Sequence, residues 1–198
     1  MLAAFQSRFG KITAPPIPID KIIERYLDLW FDWDEIDDTD EERILGYLDP
    51  ATKKIRMNTR RRDQFEQYKG MEAYTKAHEV GHWDMHIFQS GEAQLELPLF
   101  APTPPQRYLC RQKTGDPREY QAERYAAYLL MPQDLLLAEV RGLDVPHWPT
   151  LYSLRDRFGV SISALTNRLT GLGLLYIAPD GTLCHAEDEY GTKKKRLL

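Results

Sequence analysis

"KAHEVGHWDMH", residues 76–86, decides the reading of this chain, because it sets two histidines four residues apart on a segment with helical periodicity. From about Phe65 to Phe88 the apolar positions Tyr74, Ala77, Gly81 and Met85 recur every three to four residues, and His78 and His82 lie on the same stripe. Both histidines are therefore expected to face inward. A spacing of four residues puts the two imidazoles roughly 6 Å apart along a helix axis, close enough to close on one ion. Glu79 points aside from that pair, placed to act on a water rather than to ligate. This is the H-E-x-x-H arrangement of two zinc ligands and a general base. The bland alternative is a core histidine pair satisfied by hydrogen bonds alone.

A catalytic zinc takes three protein ligands and keeps a fourth position open, so a third ligand has to come from elsewhere in the chain. In the extended pattern HExxHxxGxxH the glycine and third histidine would stand at 85 and 88, where this chain has Met85 and Phe88. His86 continues the stripe one turn on, but three histidines along a straight helix do not wrap one tetrahedral ion; His86 is expected in packing or at the rim of the site. What remains is a carboxylate from a second helix. "DPREYQAERYAAYLLMP", residues 116–132, starts and stops like one: Asp116 is a good N-cap, Pro117 suits the first turn, and Pro132 ends it. It carries Glu119 and Glu123 one turn apart. Asp116-Pro117-Arg118-Glu119 also reads as a capping box, in which Glu119 would bond back to the Asp116 amide.

Around these two helices the chain is organised as follows. "IDKIIERYLDLW", residues 19–30, predicts an amphipathic helix, and the acidic run 32–42 reads as loop. "RILGYLDPATKKIRMN", residues 43–58, predicts a β-hairpin about the turn signal Asp49-Pro50. Residues 89–116 carry many prolines without periodicity and read either as a cover over a site or as a surface crossing. In "TLYSLRDRFGVSISALTNRLTGLGLL", Leu151, Leu154 and Phe158 form one helix face, Gly159 permits a tight turn, and Ser161 caps a second helix bearing Ile162, Leu165 and Leu169. A small hairpin about Asp180-Gly181 follows, then the basic tail "KKKRLL".

The 198 residues carry a formal charge of -4, which exerts no global pull toward nucleic acid or anionic lipid. Two cysteines, Cys110 and Cys184, make no disulfide framework, and no signal peptide or membrane-spanning run is evident. A soluble cytoplasmic protein is expected.

"KAHEVGHWDMH" followed by "EYQAERYAAYLLMP" closely resembles the ImmA/IrrE family of zinc metallopeptidases, with "LGYLDPATKKIRMN" similar to the family's hairpin and "RFGVSISALTNRLTGLGLL" to its helix-turn-helix segment. The resemblance spans roughly residues 17–177. It implies an α+β fold: a mainly helical, gluzincin-like metallopeptidase core at 17–149 with a small hairpin sheet, and a helix-turn-helix-like part at 150–185 ending in a short hairpin; the basic tail at 186–198, beyond the resemblance, is expected to be mobile. It implies zinc as cofactor, held by His78, His82 and Glu119, the last matching the family's first motif Glu in "EYQA", with Glu79 as catalytic base. Glu123 stands where the family commonly has Asn or Asp, and is expected to hold a ligating imidazole from behind. The implied substrate is a protein, a helix-turn-helix repressor whose cleavage relieves transcription of stress, phage or mobile-element genes.

Two other readings compete. The first is a DNA-binding regulator acting through 150–198, where seven Lys/Arg face five Asp/Glu; four of the cations sit in the tail, and the second helix offers only Arg168 and Asn167 to a groove. The second is a zinc-free binding module. Under the peptidase reading an extended substrate is expected to add beside the edge of the 43–58 hairpin, with an oxyanion donor drawn from the tyrosines or His86.

Overall fold

The computed structural model describes residues 1–38, 43–68, 70–88, 108–111, 116–187 and 189. Most of the proline-rich run and the basic tail lie outside the described residues. The fold is α+β, mainly helical with small sheets. Helix α1 (Leu2–Phe9) covers the core from the N-terminus, and its buried Phe5 stacks on Phe9 and meets Tyr26 edge-on. The amphipathic segment after it is shorter than its periodicity suggests. Helix α2 (Ile19–Lys21) runs into a π-helical turn (Ile22–Tyr26) that buries Ile19, Ile22 and Ile23, and Asp28 then enters the left-handed region at φ 54 and ends the helix.

Trp30 therefore belongs to a strand. β1 (Trp30–Asp34) lies parallel to β3 (Lys54–Asn58), and β2 (Ile44–Asp49) forms the expected antiparallel hairpin with β3. In the turn, Asp49 Oδ1 accepts from the Ala51 and Thr52 amides. The acidic run read as loop begins as strand, at residues 32–34, where its acids meet the cations of β3: Arg56 pairs with Asp34 at 2.9 Å and Lys54 with Asp32 at 3.5 Å. Such half-exposed pairs are worth ~1 kcal/mol or less each, so the apolar face holds the strand. There Trp33 packs edge-on against Phe65 at 5.5 Å and Phe31 underlies the Lys76 ammonium at 3.9 Å. Beyond β1 the chain is clipped by Asn58, wholly buried, whose amide donates to the carbonyls of Ile36 and Ile44 and accepts from the Ile36 and Arg60 amides.

β4 (Tyr108–Arg111) pairs with β2, giving the order β1-β3-β2-β4. This corrects two expectations. A strand sits inside the stretch read as irregular, and both strands of the hairpin already have neighbours, so neither offers an edge to a substrate. Gly46 is required at the β2 bulge, since a Cβ there would stand 2.7 Å from the Arg56 carbonyl oxygen.

Helix α3 (Arg62–Gln67) is separated from α4 (Met71–His82) by Gly70 at φ 81, and α4 continues as a π-helical turn (Trp83–Phe88). The single periodic run is thus broken at its start and rewound at its end. α5 (Pro117–Leu130) begins as read, with Asp116 accepting from the Arg118 amide at 2.8 Å, and ends at Met131. α6 (Gln133–Val140) follows, then α7 (Trp148–Phe158) and α8 (Ile162–Gly171), joined through Gly159 at φ 63, with Ser161 Oγ capping the Ala164 amide at 3.1 Å. A two-stranded hairpin, β5 (Tyr176–Ile177) with β6 (Leu183–Cys184), lies beyond α8. One apolar cluster runs from Phe5 and Ile22 through Ala77, Val80, Ala126 and Leu130 to Leu151, Phe158 and Leu165. Gly70 abuts the α7–α8 turn so closely that a Cβ there would lie 2.4 Å from Val160 Cα.

Candidate metal centre

α4 and α5 pack face to face, and small residues set their separation. A Cβ on Gly81 would stand 3.2 Å from Ala122 Cα and 3.2 Å from Tyr125 Cβ. Ala122 is itself wholly buried. This close approach lets Glu119, one turn before Ala122, reach the histidines of α4. Glu119 Oε2 lies 3.1 Å from His78 Nε2, Glu119 Oε1 3.3 Å from His82 Nε2, and the two Nε2 atoms are 3.0 Å apart.

His78 and His82 are buried and the Glu119 side chain is 14% exposed, so three potential ligands converge largely shielded from solvent. A tetrahedral zinc with bonds near 2.0–2.1 Å would hold its donors roughly 3.3 Å apart, which is the spacing seen here. The donor chemistry agrees. With both imidazoles protonated at Nδ1, the Nε2 lone pairs and the carboxylate point at one spot, the arrangement that suits a cation. His78 Nδ1, on the far side of its ring, has no hydrogen-bond partner among the described residues.

Burial by itself would raise the Glu119 carboxyl, but hydrogen bonds from His78 and His82, with their charge, more than offset it and hold it at about 2. Burial pushes the His82 imidazole below its ordinary value, with the Glu119 hydrogen bond opposing and the neighbouring histidines adding to the shift. A charged carboxylate and a neutral imidazole are the forms that bind a metal.

Glu79 follows His78 on α4 and is wholly buried. Asp116 caps α5 through its own side chain, while the Glu119 carboxylate turns toward α4 instead of back to the helix start. Glu123 lies elsewhere than expected. It is exposed, its backbone carbonyl accepts from the Tyr74 hydroxyl at 3.3 Å, and it does not reach His78 Nδ1. The helical turn between 119 and 123 carries the second carboxylate out to solvent as the axis passes the site. His86 sits at the rim, its ring 5.4 Å from that of His82 and its Nε2 3.4 Å from the Arg118 carbonyl oxygen.

Sequence reasoning did not find the Tyr125–Asp84 contact. The Tyr125 hydroxyl donates to Asp84 Oδ2 at 2.7 Å, and burial together with that bond pushes the phenol well above its usual range. The bond ties the π-helical turn after His82 to α5. Its sequence signal is weak, because the spacing of a π turn differs from the helical period used to read the segment.

No curated protein matches the chain, and no helix among the described residues is long and apolar enough to cross a membrane. The family model described as the IrrE N-terminal-like domain matches residues 66–170, from α3 through the HExxH helix and Glu119 to α8. Covering more than half the chain and both helices that build the donor cluster, that match shows that the protein belongs to the IrrE N-terminal-like family of peptidases.

Proposed function

We propose that the chain is a zinc-dependent endopeptidase in which His78, His82 and Glu119 hold the metal and Glu79 is the catalytic base. One observation carries the reading: His78, His82 and Glu119 bring donor atoms from two helices within 4.8 Å of one another, while Glu79, the residue after His78, is wholly buried. Zinc held there would supply Lewis acidity, lowering the pKa of a water toward ~7 and polarising a substrate carbonyl.

The chain's own residues supply the rest. Glu79, one position after His78, takes a proton from the attacking water and later returns it to the leaving amine. Glu119, charged across the working range, balances the cation. The hydrogen bond from Tyr125 to Asp84 keeps the turn after His82 in place, so that His86 stays at the rim where a substrate enters. Because the hairpin strands are both paired, an extended substrate would lie along β4, the outer strand on the β2 side among the described residues.

The substrate class that best suits the family resemblance is a helix-turn-helix repressor, cut in the cytoplasm. The test is metal analysis of protein purified without added zinc, followed by incubation with a small helix-turn-helix repressor, chosen from the gene neighbourhood where one is encoded there. Stoichiometric zinc and cleavage that stops in Glu79→Gln while zinc is retained support the proposal. Retained proteolysis in metal-loaded Glu79→Gln would sink it, because the amide keeps the shape and removes the base.

A further inference from the structure

The outer face of α5, turned away from the metal cluster, carries two guanidinium groups with no acidic counterpart among the described residues. Arg124 is exposed between Tyr120 and Tyr128, one turn to either side; it donates to the Tyr120 hydroxyl at 3.1 Å and also to that of Tyr128. Arg168 reaches in from α8, its guanidinium 4.1 Å above the Tyr128 ring, with Nε donating to the Met131 carbonyl oxygen at 3.2 Å. Both guanidinium groups stand against the same ring, Arg124 at 5.3 Å and Arg168 at 4.1 Å from the Tyr128 centroid. Tyr120 and Tyr128 are 59% and 43% exposed, so their rings flank the cations as an open apolar surface.

A purely structural role would have Arg168 satisfy the last carbonyls of α5 and Arg124 pack on tyrosines, and nothing more. One donor of the five on Arg168 is used that way, while the guanidinium as a whole lies over the partly exposed Tyr128 ring. Holding two like charges together on a chain of net charge -4, without an acid between them, costs energy that an anionic partner would return. Two forks fit neighbouring carboxylates, whereas a nucleic-acid strand would call for a longer row of cations than this face presents. We infer that Arg124 and Arg168, flanked by Tyr120 and Tyr128, form a docking site for a protein segment bearing adjacent Asp or Glu side chains, separate from the metal cluster and independent of what that cluster cleaves.

The experiment uses the full chain and a fluorescent oligoglutamate peptide, with an oligoglutamine peptide of equal length and a single-stranded oligonucleotide as comparisons, read by anisotropy at low and moderate salt. The expected result is binding of the oligoglutamate alone, weakened by salt and reduced about tenfold or more in Arg124→Gln. Arg124→Gln leaves the Met131 cap untouched, so its fold is checked by thermal unfolding and no loss of structure is expected. The double variant Arg8→Gln/Lys11→Gln removes two cations near α1 and should bind as the parent does. Equal binding of oligoglutamate and oligoglutamine, equal loss in the α1 double variant, or tighter binding of the oligonucleotide would each overturn the inference. None of these outcomes depends on zinc or on proteolysis, so a failed peptidase reading leaves the result interpretable.

Discussion

Gly81→Ala is the substitution that best tests whether the α4–α5 spacing builds the site. On an isolated helix the change is favourable by about 1 kcal/mol, because alanine lacks glycine's backbone freedom. In the folded protein the new methyl would meet Ala122 Cα at 3.2 Å, Tyr125 Cβ at 3.2 Å and the Ala122 carbonyl oxygen at 3.3 Å. Two of those atoms are α5 backbone and cannot turn away. Restoring ordinary contact pushes α5 back by a few tenths of an ångström, and overpacking of this kind costs about 1–3 kcal/mol. The two effects nearly cancel, so the metal-free protein is expected to lose only about 0–2 kcal/mol. The metal feels the shift more sharply. Glu119 rides on the same helix one turn earlier, and ligand distances tolerate only about 0.2 Å of error. Zinc affinity is therefore expected to fall by about tenfold or more, measured by competition with a chromogenic chelator, while the urea midpoint of the metal-free protein moves little. Gly171→Ala is the control: that glycine closes α8 with nothing within 4 Å of the added carbon and should be neutral or stabilising. Parental zinc affinity in a folded Gly81→Ala protein would refute the claim that this contact sets the ligand geometry.

Three further outcomes follow from features elsewhere in the fold. Asn58→Ala removes a buried amide that serves the backbone of Ile36, Ile44 and Arg60, and should cost about 3 kcal/mol in urea unfolding; a loss under about 1 kcal/mol would mean water replaces it freely. Lys76 is buried yet its partners Asp20 and Glu72 are well exposed, so Lys76→Met, which keeps the volume and lets both acids rehydrate, should fall within about 1 kcal/mol of the parent, whereas Lys76→Ala should be clearly worse; the reverse order would show that charge rather than packing holds α4 to α2. For the metal-free protein, the folded His82 pKa lies below its ordinary 6.5, so its contribution is complete above that pH and is lost as pH falls through the depressed value. Glu119, drawn down to about 2 from 4.5, adds a second loss as pH falls from 4.5 toward 2, and a urea midpoint that stays flat from pH 7.5 to 3 would contradict both assignments.

The two helices that carry the chemistry are legible in the sequence because their signals are local: a periodic stripe holding His78 and His82, and a cap, an N1 proline and a terminal proline bounding the helix of Glu119. The hairpin and the paired helices about Gly159 are legible for the same reason. What escaped is non-local. β1 is a strand because it pairs in parallel with β3, a neighbour met only after a hairpin, and lays Phe31 and Trp33 on the core side, and β4 pairs with a strand some sixty residues earlier. Glu123 misled because helical spacing says which residues share a face but not how far that face stays against its partner. The peptidase family could be recognised from the two motif helices, whereas the closeness of Gly81 to Ala122 that brings them together is a packing fact no single segment encodes.

The contact of Gly70 with Val160 makes the start of the HExxH helix depend on a turn ninety residues later in the chain. No side chain can occupy position 70 unless the α7–α8 turn retreats, and φ 81 there suits glycine in any case. The last pair of helices is consequently no detachable accessory. A chain cut at 149 would lose Leu151, Leu154, Phe158 and Leu165 from the shared core together with the surface that seats the first turn of α4, so a peptidase fragment trimmed there should melt where the full chain stays folded. For anyone exchanging the terminal helices between relatives, positions 70 and 160 have to travel as a pair.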